Sequence, residues 1–254
     1  MKIFRSESQV DYSSYTFNYA VYCLKEKREE LPEIYALGFL PYSNDTELKR
    51  EVYYLARSLR VKLDEFRDSS ENRRVNRKIE EIGPSFEVLP IDRFDLRDPR
   101  FTKFCKQFAD QRFSEPLSDE RLAYILNNES ISHVFRFKVQ DMEVGYVISI
   151  IEQGALHYWF AFFSLDYQAY SLGKWMMYSV IRWAAEEGLS HVYLGTCYGE
   201  KALYKVRDFK GLYFYDGNAW NGDMKLLKRK CKSDADFLKD DFKLDTDLFL
   251  DRIQ

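Results

Sequence analysis

"SLGKWMMYSVIRWAAEEGLSHVYLG" occupies residues 171–195. Its apolar residues recur at helical spacing after Gly173, Gly188 supplies a stop, and the run from His191 to Leu194 reads as a short strand that reaches Gly195. Immediately upstream, three apolar and aromatic runs read as strands: HVFRFKV (133–139), VGYVISII (144–151) and LHYWFAFFSL (156–165). Their connections, QDME and EQGA, are of hairpin length. The second half of the chain therefore reads as antiparallel strands, a turn, a helix and a further strand.

The first half is organised differently. KEKREELPEIYALG (25–38) predicts a helix ending at Gly38, and EVYYLARSLRVKLDEF (51–66) predicts one or two strands. In SSENRRVNRKIEEIGP (69–84), Ser69 or Ser70 is a plausible N-cap, and Val75, Ile79 and Ile82 share one helical face. Gly83-Pro84 stops that helix, and Arg73, Arg74, Arg77 and Lys78 lie mostly off its apolar stripe. A strand and connection follow over 84–97, then helices over 101–113 and 118–127. Past residue 195 come a short helix or loop, the aromatic run LYFYDGNAW (212–220) and a charged tail. That tail is basic at KLLKRKCK (225–232) and carries seven Asp over 234–251. The reading is α+β: a smaller N-terminal α/β part over 1–85, and a second part over 86–254 that carries the tail.

Composition bounds the function. With 254 residues and 46% hydrophobic content, a sizeable core is available. The net charge of −3 means that any nucleic-acid surface must be a local patch. The four cysteines (23, 105, 197 and 231) form no CxxC pair, and there are only three His, so no metal site is expected. A reduced, cytoplasmic compartment is the simplest reading. The first fourteen residues carry no apolar run suited to a signal peptide, and no stretch approaches the ~20 apolar residues of a membrane span.

Two resemblances emerge. The strand–turn–helix–strand order of the second half resembles the acetyltransferase-like (GNAT) fold, an acyl-CoA N-acyltransferase-like mixed, mainly antiparallel sheet flanked by helices. In the GNAT frame Q/R-x-x-G-x-G/A, the chain offers Gln168, Ser171 and Gly173, with Ser in place of the first Gly. More closely, the sequence resembles the aminoacyl-tRNA–protein transferases, the arginyltransferase and leucyltransferase enzymes of the N-degron pathway. Their R-S-L-G turn corresponds to Ser171-Leu172-Gly173, and their G-L-P-Y-V-Y-L-G-Y to Gly188-Leu189-Ser190-His191-Val192-Tyr193-Leu194-Gly195. Their Y-K-A-R-F corresponds to Tyr204-Lys205-Val206-Arg207, and their S-R-S-Q-R-R helix start to the stretch from Ser69 to Lys78. Gly38-Phe39-Leu40-Pro41 and Asp216-Gly217-Asn218-Ala219-Trp220 echo a G-[WF]-R-P and a D-G-x-W element. The series keeps its order over about residues 38–220. The departures are the family cysteines between the first two elements, absent here, and a shorter loop after Gly195 without a Gly-Cys pair. The chain reads as a divergent member.

The resemblance implies transfer of an amino acid from aminoacyl-tRNA to the N-terminal α-amine of a protein or peptide. The ester is already activated, so no covalent enzyme intermediate is needed, and the protein must position two substrates and stabilise an oxyanion. It implies donor or substrate contacts at Ser171, Leu172, Gly173, Lys174, Tyr204, Lys205 and Arg207, and tRNA contacts at Arg73, Arg74, Arg77 and Lys78. Read without the family, these are a helix N-terminus satisfied by water and local caps and two solvated basic faces. Cys197 reads as a buried structural thiol, and no catalytic nucleophile is assigned. No cofactor is implied beyond aminoacyl-tRNA as co-substrate. Two further readings stay open: a GNAT acetyltransferase using acetyl-CoA or another acyl-CoA, and a non-catalytic tRNA- or peptide-binding relative.

Overall fold

A computed structural model of the chain describes residues 1–11, 16–113 and 116–234. In chain order they form strands β1 (Lys2–Asp11) and β2 (Thr16–Leu24), helix α1 (Leu31–Ala36), and strands β3 (Phe39–Pro41), β4 (Val52–Leu55) and β5 (Ser58–Lys62). Helix α2 (Ser70–Glu80), strand β6 (Pro84–Pro90), and helices α3 (Pro99–Arg112) and α4 (Asp119–Leu126) follow. Strands β7 (His133–Val139), β8 (Met142–Glu152) and β9 (Ala155–Phe163) lead into helix α5 (Leu172–Glu186) and strand β10 (His191–Thr196). Strands β11 (Leu212–Tyr215) and β12 (Trp220–Asn221) and helix α6 (Met224–Ser233) complete the described chain. The acidic run after Asp234 lies outside the described residues.

Two compact units emerge: residues 1–59, 196–206 and 213 onward in the first, and 60–195 with 207–212 in the second. The boundary expected near residue 85 falls inside the second unit. Gly83-Pro84 does end a helix, with Gly83 at a φ of 62°. That helix, however, buries Val75 and Ile79 and packs on α5 of the same unit, so its stop signal ends an element and not a domain.

The first unit holds an antiparallel sheet in the order β1-β2-β4-β3. The β1–β2 hairpin has no counterpart in the sequence reading, which placed no element before residue 25. Aromatic rings hold the sheet face: Tyr42 stands edge-on to both Tyr22 and Tyr54, at 5.9 Å from each. Such edge-to-face contacts add to the area the rings bury.

In the second unit the hydrogen-bonded order is β5-β10-β9-β8-β7-β6. Strands β6 to β9 run antiparallel, while β10 joins β9 in parallel. This is the mixed, mainly antiparallel sheet that the sequence predicted. The β7–β8 turn is tight because Gln140 and Asp141 both adopt positive φ, as a two-residue hairpin requires. Strand alternation supplies two apolar faces. Val134, Tyr146, Ile148 and Phe162 meet α3 and α4 through Phe101, Cys105, Phe108 and Ile125. On β7, Phe135 and Phe137 instead meet α5, with ring centroids 5.0 Å from Trp183 and 5.5 Å from Trp175.

Gly38, at a φ of 85°, closes α1 in the first unit. A Cβ there would lie 2.4 Å from the Tyr215 ring. Gly38→Ala therefore combines backbone strain with overpacking, and should destabilise the first unit by about 2–5 kcal/mol. Urea unfolding monitored by tyrosine fluorescence would measure this, and an unchanged midpoint would mean that the ring moves aside at no cost.

Candidate functional site

The second unit opens where β9 and β10 part. Their parallel ladder is three residues long, from His191↔Ala155 to Tyr193↔His157. Beyond it β9 runs on to Phe163 and β10 to Thr196. On its other edge β9 carries an irregularity: Ile148 pairs with Phe160 and Ser149 with Tyr158, leaving Trp159 as an extra residue. Such a bulge bends the strand and increases its twist. A splayed strand pair presents main-chain groups of both strands to whatever enters between them.

The connection from β9 to α5 aims at the same end of the sheet. A 3-10 segment (Leu165–Tyr170) is capped by the Ser164 side chain and leads to Ser171 in the left-handed conformation, at φ 60° and ψ 37°. This backbone explains why the GNAT frame favours Gly at the position of Ser171. A non-glycine residue is strained there by about 1–2 kcal/mol. The Ser171 amide donates to the Gln168 carbonyl, and the Ser171 carbonyl accepts from the amides of Lys174 and Trp175. The amides of Leu172 and Gly173 find no main-chain acceptor among the described residues. Free amides at a helix start carry partial positive charge and suit an anion or a developing negative charge.

Residues 68–210 match the profile of a family described as "Acetyltransferase (GNAT) domain". The chain belongs to the GNAT family. Within this GNAT chain, a segment of 79 residues is 34% identical to an aspartate/glutamate leucyltransferase of Stenotrophomonas maltophilia strain K279a. The segment is 33% identical to the enzyme of strain R551-3. It covers 31% of the chain and about a third, 32%, of each relative's length. These relatives bear the name of a family that the ordered motifs resemble. Among solved structures, L-PGS from Bacillus licheniformis matches over 83% of the chain and 70% of its own, at 12% identity and a TM-score of 0.43. No helix among the described residues is long and apolar enough to cross a membrane.

The residues singled out from sequence separate into distinct settings. Gly173 packs under a ring: a Cβ there would stand 2.6 Å from Phe163. The Lys174 ammonium joins Asp208 at 3.1 Å and Glu71 at 3.2 Å. Glu71 also receives both nitrogens of an Arg74 fork at 2.7 Å. Hydrogen bonds from Arg74 and then Lys174 hold the Glu71 carboxyl down at about 2. Two basic residues assigned to different ligands thus meet on one carboxylate. Arg73 donates to the Asp68 carbonyl, while Arg77 and Lys78 have no ion-pair partner among the described residues.

Tyr204 and Lys205 end a 3-10 segment (Glu200–Lys205) of the first unit, and Arg207 belongs to the second. Tyr204 is exposed. Lys205 is half-buried and donates to the Thr196 carbonyl at 3.1 Å, and desolvation pulls its ammonium down to about 8. In the same unit, Cys197 and Cys231 stand 3.7 Å apart in full burial, which pushes the Cys197 thiol up to about 12. Arg57 grips Asp234 at 2.7 and 3.1 Å, and the same carboxylate accepts the Gly199 amide at 2.8 Å. The sequence reading missed Asp208, the Lys174–Glu71 pair and the Arg57–Asp234 clamp. Their partners lie far away along the chain, and no local pattern announces them.

Gly173→Ala should lower the melting temperature, because Phe163 fills the place of the side chain. Phe163→Leu added to it should restore part of the loss, whereas a purely ligand-facing Gly173 would leave the melting temperature unmoved in both variants.

Lys205 generates a pH dependence. Its folded value of about 8 lies below the ordinary 10.5, so the unfolded chain binds more protons between those limits. Stability should then rise with pH across that window. Lys205→Met should flatten this rise and gain most over wild type below pH 8. Denaturant midpoints of both proteins from pH 7 to 10 check it; parallel curves would refute it.

Proposed function

We propose that this GNAT acyltransferase transfers an amino acid from aminoacyl-tRNA to the N-terminal α-amine of a protein or peptide. The observation that carries the reading is the placement of the leucyltransferase-like series. Ser171-Leu172-Gly173 forms the left-handed turn and free amides at the start of α5, and the run from Gly188 to Gly195 forms the helix stop and β10. The local identity with leucyltransferases supports it.

In the proposed reaction the α-amine, as the free base, attacks the carbonyl carbon of the aminoacyl ester. A tetrahedral oxyanion forms, the terminal ribose oxygen departs with a proton, and the amine loses one as the amide bond is completed. The amides of Leu172 and Gly173 are the donors proposed for the ester region or its oxyanion. Ser171 fixes the turn that presents them. Lys174 acts through its main chain and by anchoring α5, since its ammonium is committed to Asp208 and Glu71. Tyr204, Lys205 and Arg207 are proposed contacts for the tRNA 3′ end or an acidic acceptor terminus. Transfer needs no metal or organic cofactor in this scheme, and the setting proposed for it is the cytoplasm.

A second reading rests on the family profile itself, which carries the acetyltransferase name. There an acyl-CoA thioester would replace the aminoacyl ester at the same amides. Radiolabelled donors separate the two. Label from aminoacyl-tRNA should reach a peptide bearing a free N-terminus, and label from acetyl-CoA should not. Acetyl transfer without any tRNA-dependent product would establish the second reading in place of the first.

A further inference from the structure

Helices α2 and α5 of the second unit enclose a cleft of about 520 Å³. Arg73 and Arg77 reach it from α2 and Arg182 from α5. Arg73 and Arg77 stand four residues apart and so share one helix face, and Tyr178 and Arg182 do the same on α5. Three arginines from two helices therefore line one concavity. Ser70 lies on its lining as well.

On the lining three arginines face two carboxylates, Asp68 and Glu80, and Glu186, outside it, pairs with Arg182. Asp68 accepts the Tyr178 hydroxyl at 3.0 Å, and Glu80 accepts the Asn76 amide at 2.6 Å. Arg182 shares Glu186, four residues along α5, at 2.9 Å on an exposed surface. Arg73 is held only by the Asp68 main-chain carbonyl, and Arg77 has no hydrogen-bonded or ionic partner among the described residues. Arg74, by contrast, is consumed by Glu71 and does not line the cleft. The basic helix is thus divided: one arginine builds the fold, and two face a cavity with unspent donors.

We infer that this cleft binds a backbone phosphate of an RNA, with Arg77 and Arg182 as its principal ligands and Arg73 and Ser70 beside them. Planar forks with several donors match phosphate oxygens in direction as well as charge. Two helices supply them, so the crossing of α2 and α5 fixes their spacing before any ligand arrives. The inference rests on the proposed use of aminoacyl-tRNA. It adds Arg182 to the RNA-binding surface and removes Arg74 from it.

The test is binding of fluorescently labelled, deacylated bulk tRNA to the full chain over a series of KCl concentrations. Each phosphate contact contributes roughly 0.7–0.9 to the log–log salt slope. The double variant Arg77→Gln/Arg182→Gln should lower the slope magnitude by about 1.4–1.8, and weaken binding roughly 20–60-fold near 0.1 M salt. The control Arg100→Gln removes one positive charge from an exposed position on α3 and should move neither quantity. Equal behaviour of the double variant and Arg100→Gln would overturn the cleft as a site.

If the double variant is unfolded, the wild-type protein still decides. Bound tRNA should protect Arg73, Arg77 and Arg182 from an arginine-specific dicarbonyl reagent, read by peptide mass spectrometry, and absence of protection overturns the inference. tRNA binding through the cleft without amino-acid transfer would retain the site and reject the proposed reaction. Transfer with an unaltered salt slope in the double variant would do the reverse. Binding of acetyl-CoA but not tRNA, weakened by Arg182→Gln, would reassign the phosphate to an acyl-CoA donor and overturn the RNA assignment.

Discussion

The burial of α5 is the constraint on which the second unit depends. Nine of its residues are buried, and Trp175 stands edge-on to both Phe86 and Phe137. Each large side chain so buried contributes about 1.5–3 kcal/mol. An indole also brings a donor that must be met inside, and the Trp175 nitrogen donates to the side-chain Oδ1 of Asn76 on α2 at 3.2 Å. That bond, with Lys174 on Glu71 and Tyr178 on Asp68 just before α2, makes α2 and its approach polar partners of a helix whose other face is apolar. The orientation of the α5 N-terminus follows from this packing, and with it the direction of its two free amides.

The parting of β9 and β10 has the same origin. A parallel strand that follows a helix must return to the sheet edge where the helix delivers it. Gly188, in the left-handed region, turns the chain after α5, and the Leu189 amide closes the helix on the Ala184 carbonyl. This is the arrangement expected of a glycine stop. The returning strand meets β9 for three residues only. The bulge at Trp159 bends β9, and Phe163 at its end is pinned against Gly173. The opening is therefore a product of packing at both of its ends, which accounts for a Gly173 that is tightly enclosed although it lies beside the free amides.

Charge on α2 shows how one sequence pattern divides between structural and chemical roles. Arg73, Arg74, Arg77 and Lys78 form one basic run in the sequence. In the fold, Glu71 gathers Arg74 and Lys174, and Asp208 closes the chain of charges with its side chain largely buried. Screening by water is weaker in such a setting than on an open surface, so that network belongs to the stability of the helix pair. Arg73 and Arg77 escape it because they sit on the face turned toward Arg182.

The sequence by itself determined the elements. Periodicity placed α2 with Ser69 or Ser70 as its cap, the three central strands, α5 and β10, because each is written in contiguous residues with a period of 3.6 or 2, and a glycine follows both helices. The ordered motifs determined the family resemblance for the same reason. What the tertiary structure decided is every relation between elements. It gave α2 to the second unit, and it brought the Gly38 and Trp220 motifs together, with Tyr215 over Gly38 and the Trp220 indole on the Ala36 carbonyl. It paired Arg57 with Asp234 and Cys197 with Cys231, and added Arg182 to the arginines of α2. A local pattern reports which face of a helix is apolar. Which charged group waits opposite its polar face is fixed only when distant helices cross, and that depends on the packing of the rings beneath them.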